Sequence, residues 1–314
     1  MAWRSVLVTQ PARLRLEQRA LAVDGEHGTV RVPLEDVSVL VIDQPQVNLT
    51  AQLLSACAER QVAVVTVGAN HHPNGVLVPH LSHSRALKVM RAQLGMGKPR
   101  RKRIWRGVVQ RKIRNQADVL ESFGYRSAGG RLRALAAKVR SGDAGHAESQ
   151  AAQVYFRTLF PQGFSRGQTR LHNAALNYGY SIIRSALARN LVVYGFLTAF
   201  GLHHDSEQNA FNLADDLLEP FRPILDAYAL RHFPVETPER DLTREDKATL
   251  VSVLHEDISL HQTDGTAIRC TVLAAAEAVT VSLSQRLQDS GCMLALPALL
   301  PIAANRVTGP DDDE

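Results

Sequence analysis

The sequence predicts an α+β chain in which a small β-rich N-terminal domain precedes a larger all-helical one. Three observations carry that expectation. The first stretch alternates apolar and polar residues between turn signals, two continuous apolar runs flank one short helix, and everything after about residue 84 repeats with the helical period. Arg13–Leu16, Ala20–Asp24 and Thr29–Val32 read as short strands separated by Asp24-Gly25 and His27-Gly28 turns. Val37–Ile42 is apolar throughout and reads as a buried strand. Asn48 then reads as the cap of a helix, LTAQLLSACAER, leading to a second buried strand at Val62–Val67. A strand–helix–strand unit of this length favours a parallel pair beside the hairpins. The loop NHHPNG at 70–75 is turn chemistry.

From Ser84 the helical period covers Ser84–Gln93, Arg101–Phe123, Arg131–Arg140, Ala147–Leu159, Leu171–Phe200, Asn212–His232, Arg244–Leu260 and Ile268–Asp289. Gly201 fits the stop of the long fifth segment, and Pro220 and Pro223 predict a break inside the sixth. The domains are therefore expected at 1–83 and 84–303, with a disordered acidic tail at 304–314.

No apolar stretch is long enough to span a membrane, and MAWRSVLVTQ lacks the apolar core of a signal peptide. Cys57, Cys270 and Cys292 are too few and scattered for a disulfide framework or a zinc cluster, which fits a reducing cytoplasm. His71, His72, His80 and His83 lie close together without a nearby cysteine, and read as a polar loop rather than a zinc site.

Charge is uneven. The 314 residues carry only +5 overall, yet residues 85–140 hold 17 basic side chains against Asp118 and Glu121. Lys98, Arg100, Arg101, Lys102, Arg103, Arg106, Arg111, Lys112 and Arg114 form a run without an acid. Exposed helices ordinarily mix both signs, so such a field suits a polyanion, and nucleic acid is the expected partner. Trp105, Val109, Ile113, Ala117 and Leu120 recur beneath it as an apolar stripe, which makes the run a packed helix presenting charge to phosphates.

The segment GLHHDSEQNAFNLADDLLEPFRP, from Gly201 to Pro223, places His203 and His204 ahead of Asp215, Asp216 and Glu219. With Asn212 as a helix cap, the acids would occupy the first turns of the following helix, spaced to share a face. Either histidine could meet that face, and imidazole with carboxylates is a divalent-metal ligand set suited to phosphoryl chemistry. Glu148 lies in a helix of small residues, GHAESQAAQVYF, where Ala151 and Ala152 let another helix approach while Glu148 faces the gap.

Five stretches in order resemble one family: NHHPNG at 70–75, RIWRGVVQRKIRNQADVL at 103–120, AESQAAQVYF at 147–156, HNAALNYGYSIIRS at 172–185, and the 201–223 segment. On these motifs the chain resembles the CRISPR-associated adaptation integrase, in the branch found beside type II effector nucleases, type II-C. The resemblance implies a divalent metal, Mg2+ or Mn2+, held by Glu148 of the E-x-x-A-A motif and Glu219 of the D-L-x-E motif. His204 would be the third ligand, with His203 as its alternative. Asp216 would support the site, and Asn177 and Tyr178 of N-Y-G-Y would line the same cleft.

The implied activity is integration of captured DNA into a repeat array, each fragment 3′-hydroxyl attacking a backbone phosphodiester at the repeat boundary. Metal-dependent endonuclease activity would accompany it. The implied partners are double-stranded DNA, a second copy of the chain bound through the N-terminal domain, and a small ferredoxin-like adaptor. Two integrase dimers would flank one adaptor dimer in a heterohexamer, and the type II effector nuclease is a further implied partner. The alternative is a catalytically silent DNA-binding scaffold of the same fold, which would keep the basic helix without the metal.

Overall fold

A computed structural model describes residues 4–68, 73–80, 85–160, 164–166, 171–262, 264–289 and 291–300. Eight strands and one helix come first: β1 (Arg4–Val8), β2 (Arg13–Glu17), β3 (Ala20–Gly25), β4 (Gly28–Pro33), β5 (Val37–Ile42), β6 (Asn48–Leu49), α1 (Ala51–Glu59), β7 (Ala63–Val67) and β8 (Pro73–Leu77). They form two sheets. One has the order β1-β5-β7-β8, with β1, β5 and β7 parallel and β8 antiparallel to β7. The other, β4-β3-β2-β6, is a meander closed by a short parallel pairing of β6 on β2.

The expected parallel pair is therefore present, and sequence reading missed its third member, β1. Arg4–Val8 shows no alternation: it pairs with β5 at the edge of the sheet, and only Val8 of its five residues is fully buried. Asn48 is not the cap of α1; it lies in β6, and Thr50 accepts the Leu53 amide at 3.2 Å instead.

Alternation in β5 and β7 joins the two halves of the molecule. Leu40, Ile42, Val62 and Val64 pack with Leu14, Leu21 and Leu53 in the N-terminal core, whereas Val39, Val41, Ala63 and Val65 pack into the core built by the helices. A buried pair between Asp43, just past β5, and Lys247 at 2.8 Å spans the same junction.

The helical part comprises α2 (Ala86–Leu94), α3 (Lys98–Ser122), α4 (Arg126–Lys138), α5 (Ala147–Leu159), α6 (Leu171–Val193), α7 (Asn212–Leu218), α8 (Arg222–His232) and α9 (Arg244–Ser252). β9 (Asp257–His261), β10 (Ala267–Thr271), α10 (Val272–Gln288) and β11 (Leu296–Ala298) complete it. The expected all-helical domain thus carries a small antiparallel sheet, β10-β9-β11. Ile258 and Leu260 alternate as a strand requires, and Gly265, at φ +87°, turns the chain into β10.

Two boundaries also move. Helix α6 stops at Val193, where Gly195 at φ +81° turns the chain, so Gly201 is not its terminator. The proline-bearing segment breaks as expected: α7 ends at Leu218, a 3₁₀ turn occupies Glu219–Phe221, and α8 begins with Pro223 in its first turn. The expected domain boundary near residue 83, Asn70, His71 and His72 of the NHHPNG loop, His83, and the acidic tail lie outside the described residues, while Pro73–Gly75 of that loop begin β8. His80 is exposed.

Candidate functional site

Helix α3 is the spine of the site. Trp105, Val109, Ile113, Ala117 and Leu120 are all buried, so the apolar stripe read from the sequence is its packed face. Asn115 lies on a second buried face of α3, with Val108 and Val119, and is fully buried; its amide donates to the carbonyls of Pro220 at 2.7 Å and Pro297 at 3.0 Å. The first of these bonds fastens the Glu219–Phe221 turn to α3. Sequence reading missed Asn115, although its helical register with Val108 and Val119 is itself a signal.

Glu219 is 5% exposed and meets two cations: Arg222 Nε donates to Oε1 at 2.8 Å, and the Lys112 ammonium faces Oε2. Burial opposes its charged form, but Lys112 and Arg222 outweigh that and hold the carboxyl below its ordinary range. Glu148 reaches the same lysine from the start of α5, with Lys112 Nζ to Oε1 at 2.5 Å. Asp143 sets that helix start by accepting the amides of Ala147 and Glu148, both at 3.0 Å. Burial works against the charge on Lys112, and the Glu219 and Glu148 carboxylates together raise its pKa above the usual lysine value. Lys112 therefore does not stand with the outward cations of α3. Its expected place against phosphate is corrected: it lies 13% exposed between the two acids.

The histidine loop is shaped by Asp216, which is fully buried in α7. Its Oδ2 accepts the amides of Leu202 at 2.5 Å and His203 at 3.1 Å, and its Oδ1 accepts the His204 amide at 3.2 Å and Nδ1 at 2.7 Å. Gly201 permits this closure: a Cβ there would lie 2.2 Å from the His204 carbonyl oxygen and 2.7 Å from Asp216 Oδ2. Asn212 does not cap α7; its amide instead ties the loop through the Ala199 and Ser206 carbonyls at 3.0 and 2.9 Å.

His203 stacks on Trp105 with centroids 4.4 Å apart, whereas His204 meets the same indole edge-on at 5.8 Å. Because Asp216 can only accept, His204 carries its proton on Nδ1, leaving Nε2 free to ligate. The Asp216 bond raises the His204 pKa despite partial burial, and the field of Glu219 adds to it. Asp215 turns elsewhere, to Arg184 at 2.6 Å and Asn209 at 2.6 Å.

So the structure unites Glu148 and Glu219, while His204 stands on the adjoining loop. Among the described residues no trio of His, Cys, Asp and Glu sits at metal-ligating spacing. The donor chemistry nonetheless fits a hard divalent ion: two acids from separate elements converge on one cation position, next to a histidine oriented by a carboxylate.

Asn177 is exposed and accepts from Arg166 at 2.7 Å. Tyr178 departs from the expected cleft lining, since it is fully buried and its hydroxyl lies in the field of Asp43 at the sheet junction. Two positions on, Tyr180 takes that place: Arg222 lies 4.6 Å over its ring, and its hydroxyl donates to Asp226. Residues two apart on a helix face different sides, and the motif alone does not say which tyrosine faces the acid.

On the rest of α3, Lys98, Lys102, Arg103, Arg106 and Arg114 are exposed, and Arg100, Arg101 and Arg111 half-buried. Arg100 donates to the Arg286 carbonyl. Arg103, Arg111 and Arg114 line a recess of about 340 Å³ with Arg286.

A strand-rich start, a helical body and paired carboxylates beneath a basic helix define a class within which the chain can be compared. A family model described as CRISPR associated protein Cas1 matches residues 6–252, and the chain belongs to that family. It is 39% identical over 303 residues to the CRISPR-associated endonuclease Cas1 of Neisseria meningitidis serogroup C, covering 96% of this chain and 98% of that one. Among solved structures, the Cas1 protein TM1797 of Thermotoga maritima superposes with a TM-score of 0.72 at 17% identity, over 91% of this chain and 97% of that one. A casposase bound to integration product gives 0.70 at 18% identity, over 90% of each chain. At these identities the structures speak to the fold alone.

Proposed function

We propose that the chain is a metal-dependent DNA integrase and endonuclease that inserts captured DNA fragments into a CRISPR repeat array. The single observation that carries this reading is the meeting of Glu148 and Glu219 at one cation position, Lys112 of the basic helix α3. Glu148, Glu219 and His204 would hold Mg2+ or Mn2+. When bound, such an ion acts as a Lewis acid on a scissile phosphate and lowers the pKa of an attacking hydroxyl.

The chain's own residues supply the rest. Asp216 fixes the His204 ring, Arg222 and Asn115 fix Glu219, and Asp143 fixes the start of the helix carrying Glu148. The exposed arginines and lysines of α3 would seat the duplex through its phosphates, without reading its sequence. A fragment 3′-hydroxyl attacking a phosphodiester gives joining, and water in its place gives cleavage. The family reading extends to a homodimer through the N-terminal sheets and to a ferredoxin-like adaptor dimer flanked by two such dimers, with the effector nuclease as a further partner.

A strand-transfer assay tests this with a linear fragment, a supercoiled plasmid bearing repeats, and either Mg2+ or Mn2+. Glu148→Gln and Glu219→Gln should each lower joining by about 100-fold or more while DNA binding is largely kept. Full joining by either variant would remove that residue from the metal site. Greater damage from His203→Ala than from His204→Ala would reverse the histidine assignment.

A further inference from the structure

We infer that Lys112 is a resident counter-ion of the site, which a divalent metal must displace in order to bind; the inference rests on the metal reading of Glu148 and Glu219. Among the described residues Lys112 alone joins the two acids, because Arg222 pairs with Glu219 and not with Glu148. Its ammonium nitrogen is 2.5 Å from Glu148 Oε1 and faces Glu219 Oε2. Metal–oxygen bonds to a hard divalent ion are about 2.1 Å, so an ion held by both of these oxygens would overlap the ammonium. The two cations are mutually exclusive occupants of one gap.

Each has a physical advantage. Without any cation between them, two carboxylates in this partly buried gap would repel one another. Lys112 offsets that repulsion and holds both acids in position. A divalent ion brings twice the charge and can accept a third donor, which an ammonium cannot. The four-carbon lysine stem allows its head to leave while its Cα stays packed on α3, which a shorter or branched cation could not do. Displacement also releases a positive charge of α3 from its pairing with the two acids, so metal loading and polyanion binding should reinforce one another.

The position of Lys112 in α3 supports a built feature. Val108, Lys112, Asn115 and Val119 follow one another at the four-, three- and four-residue steps of a single helix face, and Val108, Asn115 and Val119 are all fully buried. Lys112 is thus the charged member of a core-facing row, one turn before the amide that fastens the Glu219 turn.

The test uses the full chain without DNA and titrates Mn2+ alone by calorimetry. Lys112→Met removes the competitor while keeping an unbranched stem, and should tighten Mn2+ binding by about tenfold or more. The metal-free variant should melt lower than wild type, with Mn2+ restoring more than the wild-type gain. Lys112→Arg, which keeps the charge, should stay near or below wild-type affinity. Unchanged or weaker Mn2+ binding in Lys112→Met would overturn the inference.

Glu219→Gln separates the two levels. If it leaves Mn2+ affinity untouched, the metal reading itself fails. If it abolishes binding while Lys112→Met does not tighten it, only the counter-ion inference fails. Should Lys112→Met not fold, the Lys112 ammonium resonance in wild type, assigned by its loss in Lys112→Arg, should move to the free-lysine position on saturation with Mg2+. An unmoved resonance would overturn the inference equally.

Discussion

Asn115 illustrates how single side chains set this site without touching a substrate. It answers the carbonyl of Pro220, which follows Glu219 directly, and that of Pro297 in β11. Asn115→Ala leaves both carbonyls facing a buried void, and about 2–3 kcal/mol of stability should be lost in urea unfolding. A loss under about 0.5 kcal/mol would show that the turn is held by other contacts. The same residue marks what was legible. Glu148 and Glu219 could be named from their motifs, and the long acid-free run correctly announced α3. A run of charge, however, says nothing about which of its members turn inward. Lys112 was grouped with the outward residues because charge counts ignore helical phase; its phase against Val108 and Val119 was the available signal. Tyr178 and Tyr180 differ in the same way, since the motif names both and only packing decides that Tyr180 meets Arg222.

At the scale of elements, α3 separates two tasks by its faces. One face builds the core and delivers Lys112 and Asn115; the other presents Lys102, Arg103, Arg106 and Arg114 to solvent. Phosphate contacts release counterions, so log affinity falls with log salt by roughly 0.9 for each contact. Replacing Arg103, Arg106 and Arg114 by alanine should weaken duplex binding and reduce that slope by up to about 3, with binding followed by fluorescence anisotropy. An unchanged slope would place the duplex on another surface. The elements least legible in the sequence were those made by pairing with distant partners. β1 exists because β5 offers an edge, and β9 and β10 because each completes the other. Local periodicity carries no record of such partners, whereas the α3 stripe and the Pro220 break are local and could be read.

At the scale of the whole molecule, the sheets and helices share their cores across β5 and β7, and a second buried knot ties the helices to each other. Asp226 of α8 accepts the hydroxyl of Tyr155 from α5 at 2.9 Å and that of Tyr180 from α6. Burial pushes its carboxyl up to about 6 although both tyrosines oppose the rise. An unfolded aspartate titrates near 3.9, so between about pH 4 and 6 the folded chain holds a proton that the unfolded chain has released. This group's contribution to stability is therefore largest at low pH and declines as pH rises through that window, by about 3 kcal/mol in total. Asp226→Asn removes the titration, so the stability of the variant relative to wild type should increase between pH 4.5 and 7 in urea unfolding. Parallel pH profiles for the two proteins would contradict this origin.

The claim on which the rest depends is that Glu148 and Glu219 are the jaws of a divalent-metal site. An anomalous-scattering map from crystals grown with Mn2+ addresses it most directly. The account predicts a peak between the two carboxylates, with His204 Nε2 turned toward it and the Lys112 ammonium withdrawn. A peak elsewhere at full Mn2+ loading, with Lys112 still bridging Glu148 and Glu219, would contradict it.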